Sequence, residues 1–239
     1  MDWQLLAIVF AAAGVAGLAM PLGGALANIG TAGARWMGAE VKHSVIAFGG
    51  GALLSAVALV LIPESVERVS VVVAAVCFVA GGMLFMGFDV YLNRRNTPAS
   101  QLVAMLSDFI PESIALGAAF ATGDQTAYLL AALIALQNLP EGFNAYCELR
   151  EAAHFSGRKI LGLFALLALL GPIAAVAGTL WLAQLPVVVA VIMLFASGGI
   201  LYSVFQDIAP QARLERHYAP PMGAVLGFVL GLVGYLLTH

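Results

Sequence analysis

Eight apolar runs, at roughly 5–27, 44–63, 71–91, 101–122, 126–147, 160–183, 186–209 and 222–237, take up almost the whole chain. About 20 apolar residues are enough to cross the hydrocarbon core as a helix. A helix is also the simplest spanning form, because it satisfies its own backbone N–H and C=O groups where no water can. The sequence therefore predicts an all-α polytopic membrane protein of eight transmembrane helices, with 1–239 forming a single domain. Only 10% of its residues are charged, against about 25% in soluble domains. No length remains for a soluble enzyme module, and there is no basic patch suited to nucleic acid. Met1-Asp2 lacks the basic start of a signal peptide, so the first run is expected to be retained.

Charge placement orients the bundle. With both termini outside, Arg35, Lys42, Arg94, Arg95, Arg150, Arg158, Lys159, Arg213 and Arg216 fall in cytoplasmic loops, and only Arg68 lies outside. That asymmetry is the positive-inside pattern. Cys77 and Cys147 are expected as core thiols, with no disulfide framework.

Two central runs break the apolar rule with Asp108-Phe-Ile-Pro111-Glu112-Ser113 and Gln137-Asn138-Leu-Pro140-Glu141-Gly142. An ionised carboxylate at bilayer depth costs roughly 3 kcal/mol on insertion scales. Each proline also takes a hydrogen bond from a carbonyl four residues back, those of Ser107 and Leu136. Such penalties, taken twice on consecutive spans, point to an ion or proton site. Asp108 and Glu112 are four apart and share a helix face, as do Gln137 and Glu141. In an antiparallel hairpin turning near Gly123-Asp124, Asp108 comes level with Glu141 and Glu112 with Gln137. Three carboxylates at one depth repel each other, and a divalent cation or bound protons would relieve that repulsion.

Gln137, Glu141, Asn144 and Glu148 continue as a polar stripe toward the cytoplasmic end, as a wet exit path would. The bland alternative is an interhelical hydrogen-bonding face, and it suits Glu148 best. Met105 is a core methionine or a soft ligand. Glu64, Glu67 and Arg68 follow Pro63 at the outer side, as solvated residues or an entrance. Gln206 and Asp207 sit near the inner end of the seventh run, snorkelling or lining the exit, and Asp89 is interfacial. His43, His154, His217 and His239 all fall in loops or at the terminus, as surface residues; capture of departing metal by His43 and His154 is the sharper alternative. Oxygen-only donors suit Mg, Ca or Mn, whereas zinc usually takes Cys or His as well.

The second and seventh runs echo each other. Phe48/Phe195, Gly51/Gly198, Leu54/Leu201, Val57/Val204 and Pro63/Pro210 are identical over sixteen aligned positions. The two runs cross in opposite directions, so a true echo means an inverted repeat, common among secondary transporters. Small, apolar composition gives chance similarity as the competing explanation.

The tandem proline–glutamate motifs resemble the paired His-Asn-x-Pro-Glu-Gly motifs of the Zrt/Irt-like (ZIP) metal transporters. The resemblance extends over essentially the whole chain and implies a 3+2+3 arrangement of eight helices with an inverted repeat and both termini outside. It also implies a binuclear metal centre. The matching positions here are Asp108, Phe109 and Glu112, then Gln137, Asn138 and Glu141. Both motif histidines are replaced, by Asp108 and Gln137, and an asparagine by Phe109. A further family carboxylate corresponds to Gly171 beside Pro172, the family's methionine in the second helix to Leu53, and the long histidine-rich loop is reduced to about Leu92–Ser100.

The resemblance thus implies a multi-pass protein of the cell membrane that carries divalent metal ions (Zn, Mn, Fe or similar) into the cytoplasm, with a homodimer possible and no cofactor beyond the transported ion. The departures favour one site of harder, oxygen character; the conservative reading is zinc with altered affinity. The predicted metal ligands are Asp108, Glu112, Gln137, Asn138 and Glu141, with Asn144, Glu148, Glu64 and Asp207 along the pathway. Rival readings are a proton-coupled or other secondary transporter using the same carboxylates, and a membrane scaffold that has lost transport. An intramembrane enzyme has little support, since His-Glu-x-x-His and Gly-x-Gly-Asp are both missing.

Overall fold

The computed structural model describes residues 2–32, 38–94, 100–123, 126–152, 155–215 and 217–238. His154, His239, Arg35, Arg95, Arg216 and the turn residue Asp124, all invoked above, lie outside the described residues. The described residues are almost all helical: α1 Trp3–Ala32, α2 Ala39–Val66, α3 Val71–Arg94, α4 Ser100–Thr122, α5 Thr126–Ala152, α6 Gly157–Leu182, α7 Pro186–Ala212 and α8 Ala219–Thr238. No strand occurs among the described residues.

Six of these helices, α1, α2, α3, α6, α7 and α8, are long and apolar enough to cross a membrane. Their apolar faces stand open, with Val15 and Leu22 of α1 and Val72, Val76 and Met83 of α3 among the exposed residues. A continuous exposed apolar belt has no place in water. These are the marks of a helical integral membrane protein. The remaining two helices, α4 and α5, have 23 and 27 residues and so the necessary length. Acidic and amide side chains lower their hydropathy, and Asp108, Glu112, Gln137, Asn138, Glu141 and Asn144 are turned inward. Residues 140–147 of α5 are buried without interruption.

Most helices run beyond the apolar runs, because their polar ends continue the same backbone ladder. His43 accordingly lies inside α2 rather than in a loop, and its Nδ1 is buried without a hydrogen-bond partner. Within α6 the ladder breaks at Ala168-Leu169. Pro172 has no N–H to offer Ala168, and its ring crowds that carbonyl.

Both α2 and α7 contain a π-helical turn, Val57–Leu61 and Val204–Ile208, closed by Ile62 N–H to Val57 O and by Ala209 N–H to Val204 O. The cause is the same in each. Pro63 and Pro210 would clash with the carbonyls of Leu59 and Gln206, and the widened turn moves those carbonyls aside. The turns fall at corresponding places in the two stretches whose sequences echo each other.

Packing follows the same correspondence. The most extensive contacts are α8 on α2, α1 on α5, α3 on α7 and α4 on α6. A Cβ at Gly51 of α2 would strike the Ala224 carbonyl of α8, and one at Gly227 of α8 the Phe48 carbonyl of α2. The matching residues behave alike: Gly198 of α7 lies on the Phe78 carbonyl of α3, and Gly81 of α3 on the Phe195 carbonyl of α7. On the other side, Gly23 and Gly142 seal α1 to α5 through the Leu139 and Met20 carbonyls, as Gly178 and Gly117 seal α6 to α4 through those of Ile114 and Ala175. Such backbone approach is how helices pack where lipid supplies no hydrophobic drive.

Around these seams lies one large apolar core that includes Val9, Met20, Leu53, Leu61, Met105, Leu116, Ile134 and Ile200. A smaller cluster of Ala27, Phe143, Tyr146, Ile160 and Phe164 joins α1, α5 and α6. Cys147 belongs to that cluster as a buried free thiol, and Cys77 is half-buried and free.

Candidate metal centre

Pro111 and Pro140 sit inside continuous α-helix, without the π-helical turns that accompany Pro63 and Pro210. The Ser107 and Leu136 carbonyls consequently lack their usual partners four residues on. One turn from these weakened points, the polar side chains of α4 and α5 face each other inside the bundle. Asp108 is 2% exposed, Glu112, Gln137 and Asn138 1% each, and Glu141 7%.

The expected pairing of Glu112 with Gln137 is present: Gln137 Nε2 donates to Glu112 Oε2. Asn138 Nδ2 instead donates to the Ala16 carbonyl of α1 at 3.0 Å, which ties the third helix to the pair. Asp108, Glu112 and Glu141 lie within electrostatic reach of one another. Each amide nitrogen makes one bond, to Glu112 and to Ala16, while several acceptors around them receive none. Asp108 Oδ1, Glu112 Oε1, Asn138 Oδ1 and both oxygens of Glu141 are buried with no partner.

Unpaired buried acceptors cost about 1–3 kcal/mol each, and more when charged. Five on facing helices form a pocket of negative potential that a cation or protons would neutralise. Among the described residues, no three His, Cys, Asp or Glu side chains are gathered closely enough to hold a metal ion by themselves. A cation here would therefore draw on amide oxygen as well, or pull the carboxylates together on binding.

Two cavities approach the centre from opposite ends. A cleft of about 50 Å³, lined by Glu64, Arg68 and Thr122, reaches Ala115, one turn past Glu112. A chamber of about 390 Å³, lined by Lys42, His43, Glu148 and Glu151, reaches Asn144, one turn past Glu141. Asn144 Oδ1 is buried there without a partner. A Lys42–Glu151 ion pair of 3.3 Å lies at this chamber. Asn144 and Glu148 thus open onto one chamber next to the centre, and Glu64 onto the opposite cleft. Asp207 lies in the π-helical turn of α7, beside a small cavity it shares with Asp89, Ser107 and Tyr202, and within electrostatic reach of Glu148. Tyr202 Oη donates to Asp89 Oδ2 at 3.1 Å, which ties the partly exposed Asp89 of α3 to α7. Met105 is 1% exposed and packed in the core.

Ser113 carries no role in the sequence reading, and Phe109 enters there only as the replacement of a motif asparagine. Ser113 is fully buried and its Oγ has no partner, immediately beside Glu112. Its place in Pro-Glu-Ser, where the second motif has glycine, was the available signal. Phe109 is also fully buried. Its ring lies against Gly17 and Gly171, where a Cβ on either glycine would meet it. Only a three-dimensional pairing of Phe109 with Gly171 reveals that one fills the space the other leaves.

Comparison with protein-family models and with curated proteins finds no match to this chain.

Proposed function

We propose that this protein carries divalent cations across the membrane through the buried carboxylate–amide centre between α4 and α5. The observation that carries this reading is the surplus of acceptors: five oxygens on Asp108, Glu112, Asn138 and Glu141 are buried without donors. A scaffold gains nothing from such a surplus, whereas a passing cation needs it. The flanking cavities supply a way in and a way out, each ending one turn short of the carboxylates.

The wider reading is of a divergent ZIP-like transporter of the cell membrane, with eight spans, both termini outside and two inverted three-helix repeats around α4 and α5. The matched π-helical turns and glycine seams support the repeat. Transport runs into the cytoplasm, and a homodimer is in keeping with the resemblance.

The same reading assigns one ion per cycle. Where the family would place an asparagine and a second carboxylate, Phe109 packs its ring over Gly171. That space is apolar and filled. Oxygen donors alone then favour Mn, Fe or a comparably hard divalent ion.

The test is uptake of Mn, Fe, Zn, Cd and Mg into proteoliposomes, paired with anomalous scattering from the loaded protein. Saturable uptake with metal density beside Glu112 and Glu141 is expected. Uptake indifferent to every divalent ion, yet abolished by Glu141→Gln, would instead assign the carboxylates to a proton-coupled carrier. Absence of binding at millimolar metal would end the transporter reading.

A further inference from the structure

Away from the centre, α2, α7 and the start of α8 enclose a groove of about 670 Å³. Gly50 and Leu54 of α2, Val204, Phe205 and Ile208 of α7 and Ala224 of α8 line it. Phe205 is 66% exposed at its edge. From Ala47 to Leu54 the wall on α2 spans eight residues, about 10 Å of helix. All three helices are apolar enough to span a membrane, so the medium facing this trough is lipid rather than water.

One end of the groove is polar. Arg213, Glu215 and His217 line it. His217 is engaged, its Nδ1 3.4 Å from Glu40 Oε1. The Arg213 guanidinium has no hydrogen bond or ion pair among the described residues. Exposed cations at the ends of membrane helices take lipid phosphate as their counter-ion, and the arginine fork matches phosphate oxygens two at a time.

We infer that this groove is a binding site for a glycerophospholipid, with an acyl chain along α2 and α7 and the phosphate on Arg213. Glu215 leaves the polar end nearly neutral, so bulk charge alone cannot hold an anion there. Chain and phosphate are both required. Arg213 also lines the chamber that reaches Asn144. The lipid site stands independently of what the centre between α4 and α5 carries.

The test uses the full chain, purified and stripped of lipid, with native mass spectrometry as the readout. The probes are phosphatidylglycerol, a diacylglycerol of the same chains, and glycerol 3-phosphate. Phosphatidylglycerol is expected to be retained, and the two fragments not. Arg213→Gln should weaken that retention about tenfold, as for loss of a charged hydrogen bond. Arg158→Gln, at an exposed position on the first turn of α6, should leave it unchanged. Equal retention of diacylglycerol, equal losses in both variants, or no loss in Arg213→Gln would each overturn the site.

Discussion

The Gln137 amide of α5 donates to the Glu112 carboxylate of α4, and the other Glu112 oxygen is left without a partner. The bond thus joins the two central helices while satisfying half of one carboxylate. Replacing Gln137 with alanine removes the donor and should lower stability by about 1–3 kcal/mol. A bound cation takes over the donor's role, so added Mn should restore most of the loss. Thermal unfolding in detergent, with and without the ion, measures both effects.

Glu141 carries two unpaired buried oxygens. Glu141→Gln removes a buried charge and should hold or raise the melting temperature, because a neutral amide is cheaper to bury. Uptake should nonetheless fall at least tenfold, the effect of losing about 1.4 kcal/mol of ion binding. Uptake at the original rate would remove Glu141 from the ligand set.

Phe109 and Gly171 exclude each other's side chains. Gly171→Glu alone should destabilise the fold by more than about 3 kcal/mol, through overpacking and an unpaired buried charge. Combined with Phe109→Asn it should be tolerated far better, and the double variant should bind a second ion. Metal stoichiometry by plasma emission spectrometry decides: one ion before, two after.

The glycine seams predict a sharp contrast among glycines. Gly51→Leu and Gly198→Leu would force Cβ atoms into the Ala224 and Phe78 carbonyls. Both should prevent folding, or cost several kcal/mol, by separating paired backbones. Gly162 of α6 has open space beyond its Cα. Gly162→Ala should stabilise by roughly 0.4–1 kcal/mol. Yield and melting temperature of the three variants compare them directly.

Helical character was plain in the sequence, because membrane-length apolar stretches admit little else; of the eight expected spans, six are long and apolar enough to cross a membrane. The facing of Glu112 and Gln137 was legible too, since a tight antiparallel hairpin and a fixed rise per residue leave little freedom in register. Two of the pathway residues, Asn144 and Glu148, open on one chamber, as their spacing along α5 suggested. Asp207 lines a separate small cavity, with Ser107 and Tyr202. A π-helical turn shifts the residues after it around the helix, and nothing in Val-Phe-Gln-Asp-Ile announces one. The proline two residues beyond was the hint, and it mattered only together with its counterpart in α2. His43 reads as a loop residue because its charged flank looks non-helical, although the backbone ladder continues through it. Phe109 and Gly171 both read as replaced family positions, but their contact, across 62 residues of chain, shows only in three dimensions.

At the glycine seams carbonyl meets Cα with no leucine knobs in between. Interlocked side chains resist sliding, because each must climb out of its hole before it can drop into the next. A bare backbone track has no such teeth. Each seam also binds a helix from one end of the chain to a helix from the other end or from the middle. The molecule is therefore laced together across its length, and a displacement that begins at α8 reaches α2 as an axial shift rather than as a local repacking.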